Sequence, residues 1–515
     1  MAEGYRQVTT RDKVAFFAMI VGMFMAVLDI QIVASSLSVI GAGLSATPDE
    51  LSWVQTAYII AEVIIIPITG FLARVLSTRI SYFIAALGFT VMSVMCSIAW
   101  DINSMIVFRA LQGFFGGAMI PTVFATTFII FPPSVRPKIS IIIGLTVTVA
   151  PTLGPTIGGY ITEVASWHFM FLVNVLPGIF VCAAVFLLAD FDKPNYQLLK
   201  NFDYIGITLM ATTLGALQYI LEEGTPKGWF DSNLILSLTL FVVFGLIALV
   251  WRELTAHNPI LDLRAFKNKN FSLGCIYAFS LGVGLYGAVY ILPLFLFRIA
   301  GMDTFQIGIV MMVTGGFQFL AAPIAGKLYG AGIDRRIMLA IGLILFAFGC
   351  YLNSFLTPYS NFWELFAPQA CRGFALMFCF IPINDIALGA LDKSQVQNAS
   401  GLYNLNRNLG GAIGLAVINL TLINETKIFS QYLNSNITIT DPNVINSLGY
   451  ITSIFDGRLW NPDLASIAIL NNLVQRDAFI MAINNVFLYI ALIFLGTILL
   501  LPFSDAGASR AEGAH

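Results

Sequence analysis

Charge is what this sequence is short of. Only 10% of its 515 residues are Asp, Glu, Lys or Arg, where a soluble globular chain carries about 25%, and 58% are hydrophobic. That balance excludes a soluble globular protein and puts the chain in a lipid bilayer. A net charge of -2 leaves no basic stripe for nucleic acid. The 3 histidines are scattered at His168, His257 and His515, which argues against a metal cluster. The 6 cysteines all fall inside apolar runs without CxxC spacing, so they read as small buried hydrophobes rather than disulfides or metal ligands. No nucleophile–base set and no phosphate loop stands out, so neither an enzyme nor a cofactor is expected. The first apolar run, from about Val14 to Ile40, is too long for a signal-peptide core and reads as a first span.

Long apolar segments are abundant instead. Runs of about 20 residues cross a bilayer, and fourteen are placed at 14–40, 53–73, 80–99, 105–130, 139–163, 169–189, 203–222, 233–252, 271–297, 305–326, 337–356, 364–391, 399–423 and 481–503. With a cytoplasmic N-terminus, 18 of the 26 Lys and Arg fall in inner segments and 5 in outer ones, and Arg109, Arg372 and Arg407 fall within spans. That asymmetry follows the positive-inside rule with both termini inside. One extended segment, Asn424 to Ile480, is left on the outer side. It is Asn-rich and reads either as a solvated loop with some short helix or as a docking surface for a partner.

The chain repeats itself. Span two ends P-I-T-G-F-L-A-R (Pro67 to Arg74) and span ten ends P-I-A-G-K-L-Y (Pro323 to Tyr329). Span four holds R-A-L-Q-G-F (Arg109 to Phe114) and span twelve holds Q-A-C-R-G-F (Gln369 to Phe374), with Arg and Gln exchanged. The offset of eight spans predicts an all-α integral membrane protein of two six-helix halves. They are residues 1–190 and 266–515, separated by two extra helices in 191–265. Duplicated halves around a midplane site are a transporter plan.

Ionisable residues inside spans point to function by default. At 1.5 Å per residue, Asp29 lies about 16 Å and Glu62 about 14 Å below the outer ends of their helices, at similar depth. Arg109 sits nearer the outer surface, within reach of them. A buried carboxyl near a switchable Arg can hold or release a proton, and the alternative is a fixed ion pair that sets helix register. In the second half, Asp385 and Arg407 fall on the inner side of their helices and form a candidate charge pair, read first as structural. Glu163, Glu222 and Glu223 lie at outer helix ends; Glu222 is kept as a candidate outer-side acid.

The stretch V-A-P-T-L-G-P-T-I-G-G (Val149 to Gly159) puts two prolines and three glycines inside a membrane helix. Ala150, Gly154 and Gly158 share one face, and Pro151, Pro155 and Gly159 form the adjacent stripe. Small residues at this spacing let helices approach closely, and neighbours can satisfy the backbone that proline frees.

On these residues the sequence resembles the major facilitator superfamily, in particular its fourteen-span drug:proton antiporter branch typified by EmrB. G-P-T-I-G-G (Gly154 to Gly159) looks like the antiporter motif, with Gly154, Pro155, Gly158 and Gly159 as its gating residues. R-A-L-Q-G-F-F-G-G (Arg109 to Gly117) looks like the span-four motif whose Arg is linked to proton transfer. L-D-I-Q-I-V (Leu28 to Val33), W-V-Q-T-A-Y (Trp53 to Tyr58), F-L-V-N-V-L-P-G (Phe171 to Gly178) and L-Q-Y-I-L-E-E-G (Leu217 to Gly224) also fit. Departures are Arg74 at the usual acidic position after span two, Gln31 and Ala34 in the first-span motif, and His168 after the span-six Trp.

The resemblance implies a major facilitator fold with 14 transmembrane helices (6+2+6). It implies proton-coupled efflux of hydrophobic or amphipathic compounds across an inner membrane, with Asp29, Glu62 and Arg109 in proton coupling and the proton gradient as energy source. It also implies an EmrA-like periplasmic adaptor and a TolC-like outer-membrane channel, with residues 424–480 as the candidate contact. Export of a dedicated metabolite such as a siderophore or fatty acid is the alternative on the same fold; a transporter-like receptor would need a signalling element that the short ends do not offer.

Overall fold

The computed structural model describes residues 8–132, 135–201, 203–256, 259–389, 391, 393–438, 441–455 and 462–504. Hydrocarbon offers backbone groups no partners, so each apolar run closes its own hydrogen bonds as a helix. In chain order these are α1 (Thr10–Ser35), α2 (Leu37–Leu44), α3 (Pro48–Leu76), α4 (Thr78–Ser97), α5 (Ile102–Ile130), α6 (Arg136–Val164), α7 (His168–Leu172) and α8 (Val175–Leu188). The two extra helices are α9 (Tyr204–Glu223) and α10 (Asn233–Thr255). The second half comprises α11 (Lys269–Arg298), α12 (Thr304–Gly330), α13 (Arg335–Leu352), α14 (Phe362–Leu388), α15 (Lys393–Asn436), α16 (Pro442–Phe455) and α17 (Pro462–Ile498). Thirteen helices are long and apolar enough to cross a membrane, and α6, bent by 47° between Pro151 and Leu153, makes up to 14. The protein thus has the 14-helix, 6+2+6 arrangement. "Inner" below denotes the Lys- and Arg-rich end of the bundle.

Polar residues between runs set where helices begin. Thr9 with Asp12, Thr47 with Glu50, Asp101 with Ser104 and Asp303 with Gln306 form capping boxes in which cap and third residue satisfy each other's backbone N–H. Asp203 caps α9 and also takes Arg252 of α10 at 2.9 Å. The Arg252 hydrogen bond holds the Asp203 carboxyl below its ordinary value.

Glycines set the helix contacts in both halves. A Cβ on Gly113 of α5 would run into the Tyr58 carbonyl of α3, and one on Gly373 of α14 into the Thr314 carbonyl of α12. The sequence repeat is therefore a structural repeat, with the same close approach at the equivalent place. Gly154 of α6 abuts Gln31 of α1, and its counterparts in the second half are Gly410 and Gly414 of α15, against Phe279 and Val283 of α11.

The outer segment differs from a long loop. α15 continues unbroken to Asn436 and α17 begins at Pro462, so helix occupies most of 424–480. At 1.5 Å per residue, 44 residues of α15 span about 66 Å, roughly twice a hydrocarbon core. The two helices therefore run on past the bilayer and are tied there by Gln475 donating to Ser430 Oγ at 2.7 Å. α16 leans on α17 through Thr452 and Ser466, also at 2.7 Å. Polar, Asn-rich composition made this stretch look like coil, whereas side chains bonding between extended helices keep it helical. Residues 439–440 and 456–461 lie outside the described residues, as do the two termini (1–7 and 505–515) whose cytoplasmic location the sequence suggests.

Gly113→Ala should lower the thermal unfolding midpoint in detergent by an amount reflecting about 1–3 kcal/mol of overpacking. Gly316→Ala, where an added Cβ meets nothing within 4 Å, should leave it unchanged. Equal midpoints for both variants would mean that the α3–α5 contact tolerates separation.

Candidate functional site

The intramembrane charges of the first half sort into two places. Asp29 (1% exposed) and Arg109 (0%) meet inside the half, Nη1 to Oδ2 at 2.5 Å. The other carboxylate oxygen accepts from Asn174 at 2.7 Å and from Gln112 at 3.2 Å. Gln112 also accepts from Arg109 Nη1 at 2.7 Å and donates to Ser93 of α4 at 2.8 Å. Arg109 Nε donates to the Val54 carbonyl at 3.3 Å, and its guanidinium lies 4.2 Å over the Tyr58 ring. Residues from α1, α3, α4, α5 and the α7–α8 junction thus form one network around this ion pair. A buried ion pair survives only when its remaining hydrogen-bonding capacity is met, and here it largely is; Arg109 Nη2 alone has no partner among the described residues.

Glu62 (4% exposed) is elsewhere, facing the junction of the halves. Its Oε1 accepts from Asn408 of α15 at 3.2 Å. Gly117 of α5 makes room for it: a Cβ there would come within 2.8 Å of Glu62 Cγ. Glu62 and Glu222 line the same small cavity, of about 60 Å³, together with Gln218, Tyr286, Asn408 and an apolar wall that includes Ile30, Ile59 and Val63. Gln218 donates to Glu222 at 3.1 Å. Glu222 therefore belongs to the cavity rather than to a solvated helix end, whereas Glu163 is exposed. Glu223 turns away to accept from Ser52 at 3.0 Å and to pair with Lys227 at 3.5 Å. A larger recess of about 490 Å³ lies outward along the same faces of α11 and α15, with Tyr290, Asn419, Arg298 and Lys427 in its lining.

The expected Asp385–Arg407 pair does not form. Asp385 takes Arg335 of α13 at 2.7 Å and the Tyr329 hydroxyl of α12, closing the inner end of the second half. Arg407 lies a few turns further out on α15, with its guanidinium 5.4 Å from the ring centroid of Phe124 in the first half. The sequence placed both on the inner side, but α15 begins at Lys393 and carries Arg407 about 21 Å along its axis.

The antiporter-motif residues are placed less simply than their spacing suggests. Gly154 and Gly158 are buried and Pro155 and Gly159 half-buried. Gly154 holds α6 against α1, inside one half. Contact between halves runs along another face of α6: Ile141 meets Gly326, Gly144 meets Phe380, Thr148 bonds Gln318 at 2.9 Å and Thr156 meets Gly308. α3 and α15 close the other side, where Gly70 packs on the Gln397 backbone and Gly401 on Ile66 and Pro67.

Several partners escaped the sequence reading. Gln112 and Asn174 lie inside the quoted stretches R-A-L-Q-G-F and F-L-V-N-V-L-P-G, but nothing in their spacing says that they bind Asp29. Asp192 is a further acid that the sequence does not single out. Its carboxylate accepts from Thr78 N at 2.9 Å and Thr78 Oγ1 at 2.8 Å at the start of α4, and it also bonds Gln397 of α15. Burial raises the Asp192 carboxyl above its ordinary value against the pull of those hydrogen bonds.

Comparison with known proteins agrees with this architecture. Residues 19–415 match the Major Facilitator Superfamily profile. The chain is 41% identical over 493 residues to the colistin resistance protein EmrB of Acinetobacter baumannii, covering 96% of each. It is 30% identical over 489 residues to the multidrug export protein EmrB of Haemophilus influenzae, covering 95% of this chain and 94% of the relative. The human organic anion transporter MFSD10 superposes with a TM-score of 0.60 at 12% identity, over 96% of this chain and 100% of its own, a likeness of fold alone.

Arg109→Gln should strand a buried carboxylate and cost about 3–5 kcal/mol, read as a fall in unfolding midpoint and membrane yield. The double variant Asp29→Asn with Arg109→Gln should recover most of that loss. If the double variant is no better than the single one, the pair does not set the stability of this half.

Proposed function

The chain belongs to the major facilitator superfamily, and we propose that it is a proton-driven exporter of hydrophobic and amphipathic compounds of the EmrB kind. Its relatives named for multidrug export and colistin resistance, matched almost end to end, support efflux as the activity. Proton coupling is carried by one observation: Glu62 and Glu222 face a single mostly apolar cavity at the junction of the halves. A carboxyl there can exchange a proton for a substrate, since a buried site with limited counter-charge does not readily hold both an extra cation and a proton. No cofactor is needed; the gradient supplies the energy.

The two carboxyl sites divide the work. Asp29, locked by Arg109, Gln112 and Asn174, holds the first half together and tunes the field around Tyr58 and Glu62. Glu62, held by a single neutral amide from the opposite half, is the proton carrier, with Glu222 beside the exit toward the outer recess. Rocking of the halves about α6–α12 and α3–α15 alternates access to the cavity. The basic residues at one end support an inner-membrane protein with both termini in the cytoplasm. The outer extension of α15, α16 and α17 is the surface for an EmrA-like adaptor, itself linked to a TolC-like channel. Exposed Ile445, Tyr450, Leu464 and Ile467 there support contact with another helix.

In proteoliposomes with an imposed pH gradient, the wild type should export a fluorescent lipophilic cation. Glu62→Gln should abolish gradient-driven export while still binding the dye, and Glu222→Gln should slow it. Undiminished export by Glu62→Gln would remove Glu62 as the carrier.

A further inference from the structure

Arg407 is buried to 2% exposure at the junction of the halves, yet its Nε and Nη1 have no hydrogen-bond partner among the described residues. The other intramembrane arginines each leave one donor without a partner, Arg109 Nη2 and Arg372 Nε, but are otherwise better bonded. Arg109 has a carboxylate, a glutamine, a carbonyl and a tyrosine ring. Arg372 donates to Gln369 at 2.8 Å, repeating the Arg109–Gln112 bond with the residues exchanged. Arg407 lies against the ring of Phe124 and has no ion pair among the described residues. Tyr403 Oη and Asn404 Oδ1, on the preceding turn of α15, are likewise buried without partners. Guanidinium donors facing no acceptor in a low-dielectric interior are costly. Such a residue is explained if a second state of the protein supplies the missing anion.

The anion is at hand. Asn408, next in the chain, already bonds Glu62 across the junction at 3.2 Å. Arg407 is within Coulombic reach of Glu62, and Tyr286 of α11 is within reach of both. The groups within electrostatic reach of Glu62 are therefore Arg407 and Asn408 from α15, Tyr286 from α11, Arg109 from α5, Tyr58 from its own helix and Glu222 from α9. Arg109 is committed to Asp29. Arg109 keeps one donor, Nη2, without a partner, but Arg407 has two, and among the described residues no carboxylate pairs with it.

We propose that Arg407 is a positioning residue that captures the ionised Glu62 carboxylate across the junction and so locks the empty, deprotonated carrier. The inference rests on the proton-coupled reading above. An exchanger must forbid one movement, the return of a carrier holding neither proton nor substrate, because that movement dissipates the gradient. An ion pair between α3 and α15 joins the halves in that state alone. Protonation of Glu62 removes the anion, and a cationic or amphipathic substrate at the carboxylate displaces the guanidinium. Either event frees the halves to rock. In the present structure Glu62 is held by the neutral Asn408 amide and the Arg407 fork is open, which is the unlocked arrangement.

The test is proton flux through pyranine-loaded vesicles under a pH gradient with no substrate present. Wild type should leak slowly. Arg407→Gln should leak at least about tenfold faster, the order expected for a lost charge-assisted pair. Arg407→Lys, keeping the charge, should restore a slow leak. The leak of Arg407→Gln must vanish when Glu62→Gln is added, because it passes through that carboxyl. A slow leak in Arg407→Gln, or a fast one that survives Glu62→Gln, overturns the proposal. A second measurement does not depend on the Arg407 variants folding. With spin labels on Lys138→Cys and Gly330→Cys at the inner ends of α6 and α12, substrate-free exchange should slow as pH rises in the otherwise native chain and lose that dependence in Glu62→Gln. Exchange independent of pH in the otherwise native chain overturns the lock. Absence of gradient-driven dye export in wild type would instead defeat the efflux reading, and export with a tight Arg407→Gln would defeat the lock alone.

Discussion

Removing a charge from water inside a bilayer is the constraint on which this structure turns. Arg109 and Asp29 meet it by pairing and by recruiting Gln112, Asn174, the Val54 carbonyl and the Tyr58 ring. Five elements must be in register for that set to close, so the pair acts as a gauge of correct assembly of the first half. Breaking one partner leaves the other uncompensated, while replacing both is far less costly. A pair so fully satisfied is poorly suited to frequent proton exchange. Glu62, by contrast, holds a single neutral donor.

The two halves share their backbone plan and differ in their charges. Gly113 and Gly373 bring equivalent helices to the same near-contact with a carbonyl, and the Arg–Gln bond on the neighbouring turn survives with its residues exchanged. Close approach is a property of backbone and glycine, so duplication preserves it. The carboxylate is not preserved: among the described residues Arg372 has no acidic partner, and neither has Arg407. Acid concentrates in the first half and in α9, while uncompensated cation sits in α14 and α15. That division places opposite charges on opposite sides of the moving junction.

The fold was legible in the sequence because its signals are long and redundant. Fourteen apolar runs, the asymmetry of Lys and Arg, and the paired motifs at a fixed span offset all pointed to one arrangement. The sites were legible as residues but not as partners. Asp29, Glu62 and Arg109 stand out because charge inside a span is rare; which of them touch depends on helix rotation, which spacing along the chain does not encode. Asp385 and Arg407 illustrate this: both fall on the inner side of their spans in the sequence, yet the length of α15 separates them. Glu222 stands out in the sequence as an acid at an outer helix end, but the cavity it shares with Glu62 follows only from the packing of α9 beside α3. The 424–480 segment misled by composition: Asn and Ser favour coil in isolation, but not where they bond across neighbouring helices.

The breakers in α6 follow from the same logic. Pro151 and Pro155 bend the helix, and Gly154 fits it to Gln31 of α1, so the motif consolidates one half rather than lining the path between halves. The moving surface is the face carrying Ile141, Gly144, Thr148 and Thr156, which meets glycines of α12 at both ends and Phe380 of α14. Rocking needs stiff bodies and a shallow contact between them. A helix that sank large side chains into its own half and into the partner alike could do neither. By using small residues toward α1 and small or β-branched ones toward α12, α6 is gripped on one side and free to part on the other.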